Sequence, residues 1–485
     1  MSEDHSYHLD GSIPVVDAVK ALAFVGDLSM GQPVDHSART ATLTANLAAA
    51  LGIDKEHQAH AVCVALLRWS GCTANAPEMA ELLGDDVDGR LRMMTSGLPA
   101  HLIGQMGPVA QIHCEVSGDV AQMLGLPQSV IVALRRIFET LDGGGKPLGL
   151  SGGEVPLEVQ LVQTAGYLEI YSRLHGLDGA LHVLAALGGK LFPADWLPVL
   201  RNYASVWMQS INDESERIEH HIQTLIIPSA SVQLELISDV IDLKLPWMTG
   251  YSRRVATAAV ACAERMGLSL AERLRIRRAS LIHGLGRAAI PNEVWNQSVP
   301  RGEADVERLR LVPYWTLRAG RRISYLAAEA EIASYADERL DGSGAFRGAK
   351  GVAIGIEARV LAAATHWVML QTTRPGRAAQ TEAEATSQLA AESDRGLFDR
   401  QVASALTCGP KARPVQDSPA SFALLSPREI EVLRCISYGE SNKETARTLS
   451  ISPSTVRTHL ENIFRKLDCN TRAAATLKAL SAGLI

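Results

Sequence analysis

SPREIEVLRCISYGESNKETARTLSISPSTVRTHLENIFRKL, residues 426–467, is the stretch whose pattern decides the fold of the end of the chain. Ser426-Pro-Arg-Glu sets a hydroxyl ahead of a carboxylate with proline at the first helical position, a capping box that starts a helix. Val432, Leu433 and Ile436 give that helix an apolar face, and Gly439 stops it. Ser441-Asn-Lys-Glu repeats the box for a short second helix ending near Leu449. After a tight Ser450-Ile451 turn, Ser452-Pro453 caps a third helix, in which Val456, Leu460, Ile463 and Leu467 form an inward stripe. The opposite face carries Arg457, Thr458, Glu461 and Arg465. Two short capped helices joined by a tight turn have the geometry of a helix-turn-helix. The same pattern also suits a small helical bundle with a solvated charged face.

Working outward, Cys408 to Ala420 (CGPKARPVQDSPA) has three prolines and no apolar periodicity, so residues 409–420 read as a linker and 421–485 as a separate tail domain. The tail holds nine basic against six acidic side chains, a net +3, which leaves −9 for the rest of a chain of formal charge −6. That asymmetry is expected of a basic nucleic-acid-binding tail on an acidic body. At 485 residues, with 47% apolar and 21% charged side chains, the chain has ordinary globular composition and is long enough for roughly three domains. Few aromatics and many Ala and Leu favour helix, so the fold class expected is mainly α. Met1 to Gly11 holds Glu3, Asp4 and Asp10 with no apolar stretch behind it, unlike a secretory signal. No window approaches the run of about 18 apolar residues that a spanning helix needs. The seven cysteines are scattered without a C-x-x-C, which argues against a disulfide framework or a zinc site and for a soluble protein of the reducing cytoplasm.

Upstream lies an internal repeat. Asp142-Gly-Gly-Gly-Lys-Pro-Leu-Gly and Val155-Pro-Leu-Glu match Asp341-Gly-Ser-Gly-Ala-Phe-Arg-Gly and Ile354-Gly-Ile-Glu. Ala65-Leu-Leu-Arg-Trp-Ser-Gly matches Ser280-Leu-Ile-His-Gly-Leu-Gly, and Leu191-Phe-Pro-Ala-Asp-Trp matches Leu397-Phe-Asp-Arg-Gln-Val. Two related helical units are therefore expected in tandem, at 14–210 and 235–408, each with a Gly-rich loop. Val206 to Ile227 reads as a charged connecting helix, in which His220 and His221 are solvated. Trp69, Trp295 and Trp367 read as core or pocket residues.

The tail closely resembles the LuxR/GerE-type helix-turn-helix family. The resemblance rests on Leu425-Ser-Pro-Arg-Glu, Ser441-Asn-Lys-Glu, Thr455-Val-Arg-Thr-His, Asn462-Ile, Lys466-Leu and Arg472-Ala, with Thr445 standing where the family usually has Ile. It implies four helices, the third reading double-stranded DNA and the fourth, Thr471 to Ala482, often forming a dimer contact. By position, Arg457, Thr458 and Glu461 would face base edges, and Asn442, Lys443, Ser452, Thr455, Arg465 and Lys466 would meet phosphates. The chemistry agrees, since Arg reads guanine, Glu accepts from cytosine, and hydroxyls and ammonium groups suit phosphate oxygens. His459 is expected to pack or to hold a backbone group.

The repeats resemble HD-GYP and related HD domains, phosphohydrolases in which His and Asp residues hold two metal ions against a phosphodiester. In the first unit His36 and His113 stand at ligand positions, but Arg68-Trp69 replaces the His-Asp pair, Ile137-Phe138 a His-His and Gly166 the last Asp. In the second, Tyr251, His283-Gly284, Val312, Ala336-Asp337 and Thr365 occupy the corresponding places, and Gly-Tyr-Pro has become Gly145-Lys-Pro and Gly344-Ala-Phe. Glu139, Asp142, Glu338 and Asp341 persist beside their glycines and are expected to order the loops. With so few ligands left, the expectation is two degenerate HD-like units with no metal, no cofactor and no catalytic residues, and so no enzyme. They would serve a homodimeric regulator as a sensory, partner-binding or dimerising module, with an unknown small molecule as a candidate ligand. The rival reading is a cyclic-dinucleotide phosphohydrolase with a DNA-targeting tail.

Overall fold

The computed structural model of the protein describes residues 11–213, 230–297, 301–323, 325–408 and 425–485. The 409–420 linker, residues 214–227 of the connecting helix, and His220 and His221 lie outside the described residues. The fold is mainly α, in two compact units, one spanning Pro14–Val232 and the other Gln233–Ile485 with the segment that ends at Ile13. The boundaries at Pro14 and Val232 fall within two three-residue strands, Ser12–Pro14 (β1) and Ser231–Gln233 (β2).

The first unit runs through α1 (Val15–Ser29), α2 (His36–Ala50), α3 (Lys55–Leu67), α4 (Ala76–Leu83), α5 (Asp88–Ser96), α6 (Met106–Met123), α7 (Gln128–Leu134), α8 (Leu157–Leu187) and α9 (Leu197–Asp213). Asp54 starts α3 by accepting from the His57 amide, and α8 is broken at Gly176, whose φ of 72° suits glycine. Helices α2, α3 and α8 pack on one another. Leu43, Leu47, Leu66, Leu67, Leu161 and Leu168 are fully buried there, each contributing about 1.5–3 kcal/mol.

The second unit opens with α10 (Glu235–Asp242), α11 (Tyr251–Arg265), α12 (Leu270–Ile282), α13 (Asn292–Asn296), α14 (Glu303–Arg310) and α15 (Val312–Gly320). It continues through α16 (Ala327–Ala333), α17 (Ile356–Leu370), α18 (Glu382–Asp394) and α19 (Arg400–Thr407). Helices α11, α12 and α17 pack on one another as α2, α3 and α8 do in the first unit.

The matching Gly-rich loops are built alike. Glu139, fully buried, accepts from the Leu148 and Leu150 amides at 2.7 and 2.8 Å, and Glu338 accepts from those of Phe346 and Arg347 at 3.1 and 2.6 Å. A Cβ at Gly145 would stand 2.4 Å from the backbone of Glu139, and one at Gly344 2.5 Å from that of Glu338, so only glycine fits at either position. The carboxylates therefore do order the loops.

The chain ends in α20 (Pro427–Ser437), α21 (Asn442–Thr448), α22 (Pro453–Leu467) and α23 (Arg472–Ser481). The capping boxes at Ser426 and Ser441 are both formed, Gly439 turns the chain at φ 90°, and Ser452 caps α22.

Candidate functional site

Helix α22 buries Val456, Leu460 and Ile463 and keeps Leu467 half-buried, which turns Arg457, Thr458, Glu461 and Arg465 outward. The Arg457 side chain is 76% exposed, and its Nε donates to Glu461 Oε1 at 3.0 Å. Thr455 and Lys443 are exposed, Arg465 donates to Asn462 Oδ1 at 2.9 Å, and Ser452 Oγ accepts from the Thr455 amide at 3.0 Å. Two of the expected phosphate contacts are tied to other helices of the tail. Asn442 Oδ1 accepts from Arg472 Nη2 at 2.6 Å, and Lys466 Nζ meets Glu429 Oε2 at 2.7 Å, which helps hold that carboxyl below its usual range despite partial burial. His459 is half-buried.

Helix α23 packs against α20 and α10, burying Ala474 to Leu477, Ala479 and Leu480. The apolar face expected at a dimer contact thus meets the same unit. Thr249 Oγ1 donates to the Ser437 carbonyl at 2.7 Å, Ser437 Oγ lies 2.8 Å from Thr476 Oγ1, and Gly439 closes on Pro246.

Each unit has a buried polar cluster at its HD-type ligand positions. In the first, Arg68 is 3% exposed and sends Nη2 to His36 Nε2 at 2.5 Å and to Thr40 Oγ1 at 3.0 Å. With Nε2 accepting, His36 must carry its proton on Nδ1 and donate to Glu169 Oε2 at 2.6 Å. The imidazole is therefore neutral, and burial pushes its pKa down to about 4. Glu169 also pairs with Arg39 and Arg173 at 3.0 and 2.9 Å and is held low despite its burial. Asp27 accepts from the Ser37 amide and hydroxyl, and burial raises its pKa to about 7. His113 donates from Nε2 to the Arg68 carbonyl at 2.7 Å, and burial lowers it to about 3. A Cβ at Gly166 would stand 2.7 Å from Arg68 Nη1, so glycine there makes room for the guanidinium.

In the second unit Arg287, 5% exposed, sends Nη2 to His283 Nε2 at 2.7 Å and Nη1 to Asp242 Oδ1 at 3.0 Å, and lies 4.8 Å over the Tyr251 ring. His283 donates from Nδ1 to the Ser280 carbonyl at 2.6 Å and is again neutral, lowered to about 3 by burial and by Arg287. Asp242 accepts from the Ser252 amide and hydroxyl, and burial raises its pKa to about 6. Sequence reasoning picked out His36, His113 and His283 but missed Arg287, Glu169, Asp27 and Asp242, and it treated Arg68 only as a lost ligand. One signal was available: Asp27 and Asp242 each precede their Ser37 and Ser252 partners by ten residues.

A metal pair does not fit these residues. The Nε2 atoms of His36 and His283 are occupied by guanidinium N–H groups and that of His113 by the Arg68 carbonyl, and among the described residues no three His, Cys, Asp or Glu converge on a point that could hold a metal. Among the described residues no disulfide joins any of the seven cysteines, and no helix is long and apolar enough to cross a membrane.

Comparison with known proteins assigns the parts. Residues 235–402 match the HD domain family and residues 423–479 the bacterial regulatory proteins of the luxR family, so the chain carries an HD domain and a C-terminal LuxR-type helix-turn-helix domain. It is 23% identical over 413 residues to 3'3'-cGAMP-specific phosphodiesterase 3 of Vibrio cholerae, spanning 76% of this chain and 88% of that one. Over 56 residues, 12% of this chain and 26% of the other, it is 45% identical to the nitrate/nitrite response regulator protein NarP of Escherichia coli. A crystal structure of a cyclic GMP-AMP-specific phosphodiesterase of V. cholerae, 20% identical, shares the fold with a TM-score of 0.60 over 82% of this chain and 97% of that one. These relatives overturn the expectation that the chain is not an enzyme. A protein aligned with most of its length is named as a phosphodiesterase, so counting lost ligands does not exclude catalysis by the HD portion.

Proposed function

We propose that the chain is a sequence-specific, DNA-binding transcription regulator of the cytoplasm whose HD portion senses a signal. The observation that carries this reading is the outward face of α22, where Arg457 and Glu461 stand exposed above a buried apolar stripe. Arg457, Thr458 and Glu461 read base edges, and Asn442, Lys443, Ser452, Thr455 and Arg465 hold phosphates, with Lys466 contributing less because it shares Glu429. Residues 14–210 and 235–408 are two HD-like units, joined through a 409–420 linker to the tail at 421–485. Coupling to the signal runs through α10, which carries Asp242 of the arginine cluster at one end and packs on α23 of the tail. Because α23 is engaged within its own unit, the HD portion supplies the homodimer. Selection from random duplex DNA with the full chain tests this. Enrichment of a paired half-site motif is the expected result, and recovery of no common sequence would defeat it. The isolated tail should bind a paired half-site far more weakly than the full chain does.

A second reading, favoured by the alignment with the V. cholerae enzyme over 76% of the chain, is hydrolysis of cyclic GMP-AMP by the HD portion. Turnover by the purified chain that disappears in His36→Ala or His283→Ala would support it. Turnover untouched by either change would place the activity elsewhere.

A further inference from the structure

Beside Arg68 the first unit encloses a cavity of about 470 Å³, within the usual range of small-ligand sites. Trp69, Phe138, Tyr167 and Tyr171 supply aromatic walls, and methionines such as Met93 and Met94 supply adaptable ones. No aspartate or glutamate lines it. Its cationic residues are Arg68, Arg90 and the exposed Lys146, and they differ in what answers their charge. Arg90 donates to the Ser29 and Cys72 carbonyls and to Asn75 and lies 3.9 Å from Asp86. Arg68 hydrogen-bonds only to the neutral His36 and Thr40 and lies 4.8 Å over the Trp69 ring, with the Asp27 and Glu169 carboxylates acting on it only from beyond ion-pair distance; its Nε, like the indole Nε1 of the 92%-buried Trp69, has no hydrogen-bond partner among the described residues.

A buried guanidinium bonded only to neutral groups is costly, and that cost falls when an anion arrives beside it. We propose that this cavity binds a planar aromatic acid, its ring against Trp69 and Phe138 and its single carboxylate answering the charge of Arg68. An aromatic amine would bring a second cation to an unpaired one. A cyclic dinucleotide would bring two phosphodiester charges and several polar base edges to walls that are mostly apolar. The inference deepens the sensory reading of the HD portion and does not depend on which DNA the tail reads.

Isothermal titration of the full chain with naphthoate, naphthylmethanol and naphthylmethylamine as probes tests it without DNA. Naphthoate should bind at one site per chain, about tenfold or more tighter than the alcohol, with the amine weaker still. Arg68→Gln should bring acid and alcohol within about twofold of each other, and Met94→Trp, which fills the cavity, should remove both. Equal affinity of wild type for acid and alcohol would overturn the proposal, as would full binding by Met94→Trp. Tight competition by cyclic GMP-AMP for the naphthoate site would overturn the ligand class. If Arg68→Gln fails to fold, the wild-type comparison of probes and the Met94→Trp variant still decide. Failure to select a DNA motif would count against the regulator reading and leave these titrations untouched.

Discussion

In the first unit the guanidinium that reaches a histidine Nε2 comes from Arg68, at the end of α3, and its target is His36 on α2. In the second unit the histidine is His283, at the end of α12, and the guanidinium comes from Arg287, one turn further along. The two clusters bury the same pair of groups from different sequence positions, but their charge balance differs. Arg287 has the Asp242 carboxylate at 3.0 Å, whereas Arg68 has no ion-pair partner among the described residues. A buried arginine with its counter-ion holds a fold together. One without is a stored cost that a ligand can relieve.

The largest effect should separate the two arginines directly. Arg287→Met leaves Asp242 buried without its cation and is expected to cost about 3–5 kcal/mol, seen as lost hydrogen-exchange protection across α10 and α11. Arg68→Met removes a guanidinium whose hydrogen-bond partners are neutral and which has no carboxylate at ion-pair distance, and should cost no more than about 1 kcal/mol at α2 and α3. Equal losses would erase the contrast.

Next in size is the acid effect of His113, whose counterpart in the second unit is Val312. The unfolded imidazole titrates near 6.5 and the folded one near 3. Below pH 6.5 the unfolded chain takes up a proton that the folded chain refuses, so stability present above 6.5 is lost as pH falls towards 3. By about pH 5 this group accounts for about 2 kcal/mol, and His113→Gln should show that much less acid loss in thermal unfolding. Identical pH slopes in the two proteins would show that His113 is not held neutral by burial.

The smallest effect concerns the second unit and its tail. Thr249→Ala removes the 2.7 Å hydrogen bond to the Ser437 carbonyl and should cost about 1 kcal/mol, with faster exchange at the end of α20 and in α23. Unchanged exchange there would mean that the contact contributes nothing to docking.

How much was legible in the sequence follows from the range of the interactions. The caps at Ser426, Ser441 and Ser452 and the Val456, Leu460, Ile463 stripe span a few residues each, so local pattern was enough to find them. The repeated loops were legible because a buried Glu and a crowded Gly leave little choice of residue. The arginine clusters were not, since His36 meets Glu169 across 133 positions and Arg287 meets Asp242 across 45. Nor was the seat of α23 on α10, because an apolar helix face does not record what covers it. Counting ligands lost from a family pattern also says nothing of what replaces them, and it led to the exclusion of catalysis that the phosphodiesterase relatives correct.

The central claim is that α22 reads DNA, and competition binding of the wild-type chain and Arg457→Ala to a selected motif and to the same motif with its guanine replaced tests it most directly. Wild type should prefer the intact motif, and Arg457→Ala should lose about 1–3 kcal/mol of that preference while retaining non-specific affinity. Equal discrimination by the two proteins would contradict the account.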